Sequence, residues 1–168
     1  IASRKGSLVL ADGDKMPRAK WFQEARLNFA EHLLRRGDRG DALVFWDETG
    51  FRRRVSYADL YSEVSRAAQA LKALGLRPGD RAAAFIPNMP ETVVFALAAI
   101  SQGIVWSSCS PDFGTDGVLD RFGQIEPKVL FCADGYLYNG QRHDSLARVR
   151  EIAARLPSVR KVVVAPHL

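Results

Sequence analysis

Cysteine is scarce in this chain: Cys109 and Cys132 are the only two among 168 residues. Two thiols cannot build a disulfide framework, and their separation is not a metal-ligand spacing. Their apolar neighbours predict buried, reduced thiols at strand ends, and no nearby base marks either as a nucleophile. No apolar run approaches the length of a bilayer span, and the first residues do not read as a secretory leader. A cytoplasmic protein with no membrane partner is therefore the expectation. A dominant charge is missing too. Lys and Arg number 24 against 19 Asp and Glu, a net charge of +5, and the two signs are interspersed, as in Arg148-Val149-Arg150-Glu151. The densest basic run, Arg52-Arg53-Arg54, falls in a predicted hairpin strand. Solvated surface charge is preferred to nucleic-acid binding.

Phosphate-loop glycines are also lacking. No G-x-G-x-x-G follows a strand, and no G-x-x-x-x-G-K-[ST] occurs anywhere. The hydrolase elbow G-x-S-x-G is absent around Ser107, Ser108 and Ser110. His32, His143 and His167 fall in a helix, a loop and the tail, with nothing to bring any of them beside a nucleophile. No internal repeat or low-complexity tract is present. Catalytic residues and metal ligands are accordingly assigned to none of these positions.

What is present is a core-forming alternation of strands and helices, with 47% hydrophobic residues to support it. Residues 1–20 read as a polar arm that ends at Trp21-Phe22. That pair is either an apolar anchor holding the arm to the core or a surface for another part of a larger protein. Leu27, Phe29, Ala30, Leu33 and Leu34 recur at helical spacing before Gly37. Ala42–Trp46 and Phe51–Val55 form a hairpin about Asp47-Glu48-Thr49-Gly50. Ser56-Tyr57-Ala58-Asp59 resembles a capping box, opening a helix with Leu60, Val64, Ala67, Leu71 and Leu74 on one face. Strands are then predicted over 81–86, 104–108, 128–132 and 161–165. Helices lie between them over 91–102, 115–125 and 145–156, and a longer polar loop follows residue 132. Gly103-Ile104-Val105-Trp106 reads as a buried strand. The result is an α/β fold: a parallel, Rossmann-like layered sheet with flanking helices, preceded by an N-terminal arm and β-hairpin. Residues 1–37 are assigned to the arm and first helix, and 38–168 to the α/β subdomain.

Ligands of such sheets bind past the carboxyl ends of strands. Two glycine-bearing loops sit there: Ser110-Pro111-Asp112-Phe113-Gly114 and Tyr138-Asn139-Gly140-Gln141. Their backbone N–H groups could face a phosphate. Alternatively, Asp112 and Gly114 are turn and cap residues with no ligand, and Asp112, Asp116 and Asp120 merely favour a helix dipole.

Several ordered stretches carry a family resemblance. Trp21-Phe22-Gln23-Glu24-Ala25-Arg26-Leu27-Asn28-Phe29-Ala30-Glu31, Ser56-Tyr57-Ala58-Asp59-Leu60, Gly75-Leu76-Arg77-Pro78-Gly79-Asp80-Arg81 and Pro87-Asn88-Met89-Pro90-Glu91 are similar to the acetyl-CoA synthetase group of adenylate-forming enzymes. Within that group, Ile104 to Gly114 and Arg121-Phe122-Gly123-Gln124-Ile125-Glu126-Pro127-Lys128 most resemble the acetoacetyl-CoA synthetases, as does the loop from Asp134 to Gly140. The resemblance runs from Trp21 to the end and also takes in Gly13-Asp14-Lys15-Met16-Pro17.

The resemblance implies a ligase that activates acetoacetate with ATP and Mg²⁺ to acetoacetyl-adenylate and pyrophosphate, then transfers the acyl group to CoA. Acetate or another short-chain acid is the alternative substrate. The family's Ser/Thr/Gly-rich loop ending in Pro-Lys and its catalytic lysine have no match here. With Ile1 as first residue, the chain is expected to be an inactive excerpt of the large N-terminal domain, partnered by the remainder of the same polypeptide. A free-standing CoA- or nucleotide-binding module and an interaction module are the rival readings. By resemblance, Ser110, Pro111, Asp112, Phe113 and Gly114, with Tyr138, Asn139, Gly140 and Gln141, lie on the CoA side. Arginines that acetyl-CoA synthetases carry in the second loop are replaced by Tyr138 and Gln141, and Arg142 is the candidate substitute.

Overall fold

The computed structural model describes residues 4–168. The segment expected to be an aperiodic arm contains a short antiparallel ladder of β1 (Leu10–Ala11) and β2 (Lys20–Trp21). Trp21 and Phe22 do not anchor it to the core: they are 61% and 51% exposed. Helix α1 (Phe29–Leu33) follows, capped by the Asn28 carboxamide, whose oxygen accepts from the Ala30 and Glu31 amides. The same side chain donates to the Ile100 carbonyl at 2.9 Å, tying α1 to a later helix. Of the apolar residues that suggested this helix, only Ala30 is buried; Leu27, Phe29 and Leu33 remain exposed.

Strands β3 (Asp41–Asp47) and β4 (Gly50–Ser56) form the expected hairpin. Its three consecutive arginines are ion-paired along their own neighbourhood. Arg52 meets Asp47, Arg53 meets Glu91, and Arg54 meets Asp41. Local carboxylates thus neutralise the run. Ser56 then caps α2 (Tyr57–Ala73), its hydroxyl accepting from the Asp59 amide at 3.1 Å and donating to the Asp59 carboxylate at 2.6 Å. A full capping box would instead turn that carboxylate toward the Ser56 amide.

The remaining chain is β5 (Arg81–Phe85), α3 (Pro90–Ser101), β6 (Val105–Cys109), α4 (Thr115–Ile125), β7 (Val129–Ala133), β8 (Gly135–Tyr138), β9 (Gln141–Asp144), α5 (Leu146–Arg155) and β10 (Lys161–Ala165). Four of these strands build one parallel sheet in the order β10-β7-β5-β6. The chain moves from β5 outward to β6, then returns across β5 to β7. The strand order therefore reverses between β5 and β7, which makes the carboxyl ends of those strands the natural crevice of the fold.

Right-handed crossovers place the helices of opposite-going connections on opposite faces of the sheet, and the core divides accordingly. On one face Ala82, Ala84 and Phe131 pack with Leu60, Val64, Val94 and Leu97 of α2 and α3. On the other, Ala83, Phe85, Leu130 and Cys132 pack with Val118, Phe122, Val149 and Ile152 of α4 and α5. The alternation of Ala82, Ala83, Ala84 and Phe85 between faces is the period of two that a strand imposes.

Two expectations change. β6 is an edge strand rather than a buried one, and Val105 is 52% exposed. The polar loop after residue 132 is a hairpin: β8 and β9 pair antiparallel about Asn139-Gly140. No helix among the described residues is long and apolar enough to cross a membrane.

Candidate functional site

A crevice of about 310 Å³ opens where the sheet topology places one. Its floor comes from the residues just past β5 and β6, Pro87-Asn88 and Ser110-Pro111-Asp112. One wall is the end of β3 and its turn, Phe45 to Glu48; the other is β8, Tyr136 to Tyr138, and His167 follows β10 into it. Of the residues proposed from sequence, Ser110, Pro111, Asp112 and Tyr138 line this crevice together. Phe113, Gly114, Asn139, Gly140, Gln141 and Arg142 are not among its lining residues. Phe113 and Gly114 lead away into α4, and Arg142 stands on β9 opposite Leu137, exposed.

The first loop is a β-turn. The Phe113 amide donates to the Ser110 carbonyl at 3.3 Å, with Pro111 at the position where its fixed φ suits the turn. Gly114 is the N-cap of α4 at φ −65°, ψ 155°, and a Cβ built there meets nothing within 4 Å. Neither backbone strain nor packing demands a glycine at this position.

The second loop is the tip of the β8–β9 hairpin. Asn139 and Gly140 have φ of +52° and +71°, the paired left-handed conformations of a type I′ turn, which favour this dipeptide. The amides that sequence reading offered to a phosphate are engaged. Glu48, on the facing hairpin turn, accepts from Asn139 N at 2.8 Å and from Gly140 N at 2.7 Å, one carboxylate oxygen each. The pair of amides is thus shaped for an anion, and Glu48 supplies it. This contact joins the two walls at the crevice rim.

Within the crevice the charge is mainly negative, from Asp47, Glu48 and Asp112. Asp47 is held below the usual carboxylate range, chiefly by the Thr49 hydroxyl, which donates at 2.6 Å, with the Thr49 amide and nearby Arg52 adding to the effect. His167 stacks obliquely beside Phe45 with ring centroids 6.0 Å apart, while its amide donates to the Asp134 carboxylate at 2.8 Å. Sequence reading missed this histidine, the Pro87-Asn88 pair and the β3 end. The first two directly follow strand ends, so the same rule that found Ser110 could have found them. Phe45 to Glu48 reach the crevice through tertiary packing of a separate hairpin, which no local pattern announces.

The cysteines offer no nucleophile. Burial pushes the Cys132 thiol up to about 11 and raises that of Cys109, with Arg121 partly opposing the latter. Among the described residues no group of three or more His, Cys, Asp or Glu side chains could hold a metal ion. The crevice combines apolar walls from Phe45, Trp46, Leu137 and Tyr138 with the polar groups of Asn88, Ser110 and Asp112.

The sequence profile described as AMP-binding enzyme matches residues 29–167. The chain belongs to the AMP-binding enzyme family. It is 51% identical over 167 residues to the acetoacetyl-coenzyme A synthetase of Rhizobium meliloti (strain 1021), an alignment covering 99% of this chain and 25% of that protein. The solved structure of acetoacetyl-CoA synthetase from Streptomyces lividans superimposes with a TM-score of 0.91 at 46% identity, over 99% of this chain and 26% of that one. The malonamoyl-CoA synthetase vrtB of Penicillium aethiopicum is 40% identical over 154 residues, 88% of this chain and 21% of that protein. The chain therefore spans about a quarter of the length of these relatives.

Proposed function

We propose that this chain forms part of the large N-terminal domain of an AMP-forming acid–thiol ligase. Its reaction joins acetoacetate to CoA through acetoacetyl-adenylate, releasing AMP and pyrophosphate. The observation that carries this reading is the full-chain superposition on the Streptomyces lividans synthetase at a TM-score of 0.91. In this reading residues 1–37 are the arm and first helix, and 38–168 the α/β subdomain. ATP, Mg²⁺ and acetoacetate are met mainly by the rest of the polypeptide, because this sequence contains no phosphate-loop motif. Mg²⁺ is taken as the ion carried by ATP, and no step is assigned to it here.

The crevice is assigned to the CoA side, with Ser110 to Gly114 and Tyr138 to Arg142 as its two loops. Two features support this. The crevice lies at the reversal in strand order, and its mainly apolar, acid-flanked lining suits the uncharged pantetheine arm of CoA rather than its phosphates.

The acyl substrate is tested by supplying the full-length ligase with acetoacetate, acetate and malonamate in turn. The malonamoyl-CoA relative makes the third acid the informative competitor. Acetoacetate should give the highest kcat/KM for acyl-CoA formation. Preference for either other acid would remove the substrate assignment while leaving the ligase class in place.

A further inference from the structure

The turn at the crevice floor is held from behind by an arginine that does not enter the crevice. Arg148, half-buried on α5, directs its Nη1 at the Pro111 carbonyl at 2.9 Å and the Phe113 carbonyl at 3.3 Å. The turn has one backbone hydrogen bond across it, from the Phe113 amide to the Ser110 carbonyl, and Pro111 has no amide proton to give. Two charge-assisted bonds from a second element therefore supply much of what fixes its position, since such bonds are roughly twice as strong as neutral ones.

Neighbouring contacts on the same face of α5 are weaker candidates for this role. Glu151 accepts from the Thr115 hydroxyl and Arg155 pairs with Asp116, each at 3.1 Å. Asp116 is 90% exposed, and such solvated pairs contribute little. Arg121 lies over the Phe113 ring, 4.4 Å from its centroid, but is anchored on the helix that the loop itself opens. Arg148 alone among these contacts ties the turn's carbonyls to a helix other than the one the loop opens.

We propose that Arg148 is a positioning residue that fixes Ser110, Pro111 and Asp112 at the crevice floor and so sets the affinity for CoA without touching it. The proposal rests on the assignment of this crevice to the CoA side. Both bonds leave one nitrogen, so a lysine ammonium can restore them, whereas a methionine of similar length cannot.

The test compares wild type, Arg148→Met and Arg148→Lys in the full-length ligase. Hydrogen exchange is followed over residues 110–114, alongside the KM for CoA and the acetoacetate-dependent ATP–pyrophosphate exchange. With Met, amide exchange in the loop should quicken about ten-fold and the KM for CoA should rise about ten-fold, the size expected for losing hydrogen bonds from a charged donor. Pyrophosphate exchange should hold within about two-fold, and Lys should recover most of both losses. Unchanged loop exchange with Met, an unchanged KM for CoA, or an equal fall in both half-reactions would each overturn the proposal. Failure of the underlying assignment is seen separately, in wild-type amide exchange over residues 110–114 that saturating CoA does not slow.

Discussion

The two loops at the crevice are built in opposite ways. Ser110 to Gly114 joins a strand of the main sheet to a helix packed on it, and Arg148 grips its carbonyls. Tyr138 to Gln141 is the tip of a two-stranded hairpin outside that sheet, held across the crevice rim by the Glu48 carboxylate. The glycines differ in the same sense. Gly140 is required by its left-handed backbone, while Gly114 has an ordinary φ and open space around it. A glycine that the fold needs says little about ligands. Gly114 tolerates a side chain, so substitution there reads the surroundings of the loop rather than its fold.

The sharpest way to break this comparison is to remove the foundation of the first loop. Phe122 on α4 is fully buried beneath the sheet, and Phe122→Ala should cost about 3–5 kcal/mol of stability by denaturant unfolding. The second loop should then keep its hairpin amide protection only as long as the domain stays folded. A loss under about 1 kcal/mol would mean that the α4 layer is not the loop's support.

Smaller effects are expected at the hairpin tip. Gly140→Ala places a Cβ at φ +71° and should cost about 1–2 kcal/mol locally. Glu48→Ala strips the carboxylate from both tip amides, and their exchange should speed up about ten-fold without a global change in stability. Amide exchange read residue by residue checks both variants. Equal protection at Asn139 and Gly140 with and without Glu48 would dissolve the rim contact.

Alkaline pH probes the sheet beneath both loops. The Cys132 thiol is raised by burial from its ordinary value to about 11, so the folded state favours the protonated form. The stability it contributes is intact below about pH 9 and is lost as pH rises toward 11. At pH 8 the native thiol should react with a disulfide reagent far more slowly than the unfolded one, and prompt reaction would show that the strand is open. Smallest of all is Gly114→Ala. With φ at −65° and nothing within 4 Å of the new Cβ, stability should stay within about 0.5 kcal/mol of wild type or rise slightly.

The main sheet was legible because its signals are local and consistent. Ala-rich and Val-rich runs alternate with helical stretches bounded by glycine and proline, and Pro90 stands at the first turn of α3. The Asn139-Gly140 hairpin was equally readable, since that dipeptide between Tyr-rich and polar flanks is a strong turn signal. Treating it as a candidate ligand loop concealed its turn role. Other differences have tertiary causes. Ile104 is buried while Val105 is exposed because successive residues face opposite sides of the sheet, and which side of β6 is covered is not written in the strand itself. Leu27, Phe29 and Leu33 repeat at helical spacing yet stay exposed, since periodicity shows that a helix has a face without showing what covers it. Of the site, the Ser110 loop could be found from its place after a strand. Its partners Phe45 to Glu48 come from a hairpin whose docking only the folded chain reveals.

The central claim is that this crevice serves thioester formation and not adenylation. Ser110→Val in the full-length ligase, a change at the crevice floor itself, tests it most directly, with the two half-reactions measured side by side. The expected result is a KM for CoA raised about ten-fold, the loss of one good contact, with acetoacetate-dependent pyrophosphate exchange unchanged. An impaired exchange reaction with normal CoA kinetics would contradict the claim and move the crevice to the other half of the reaction.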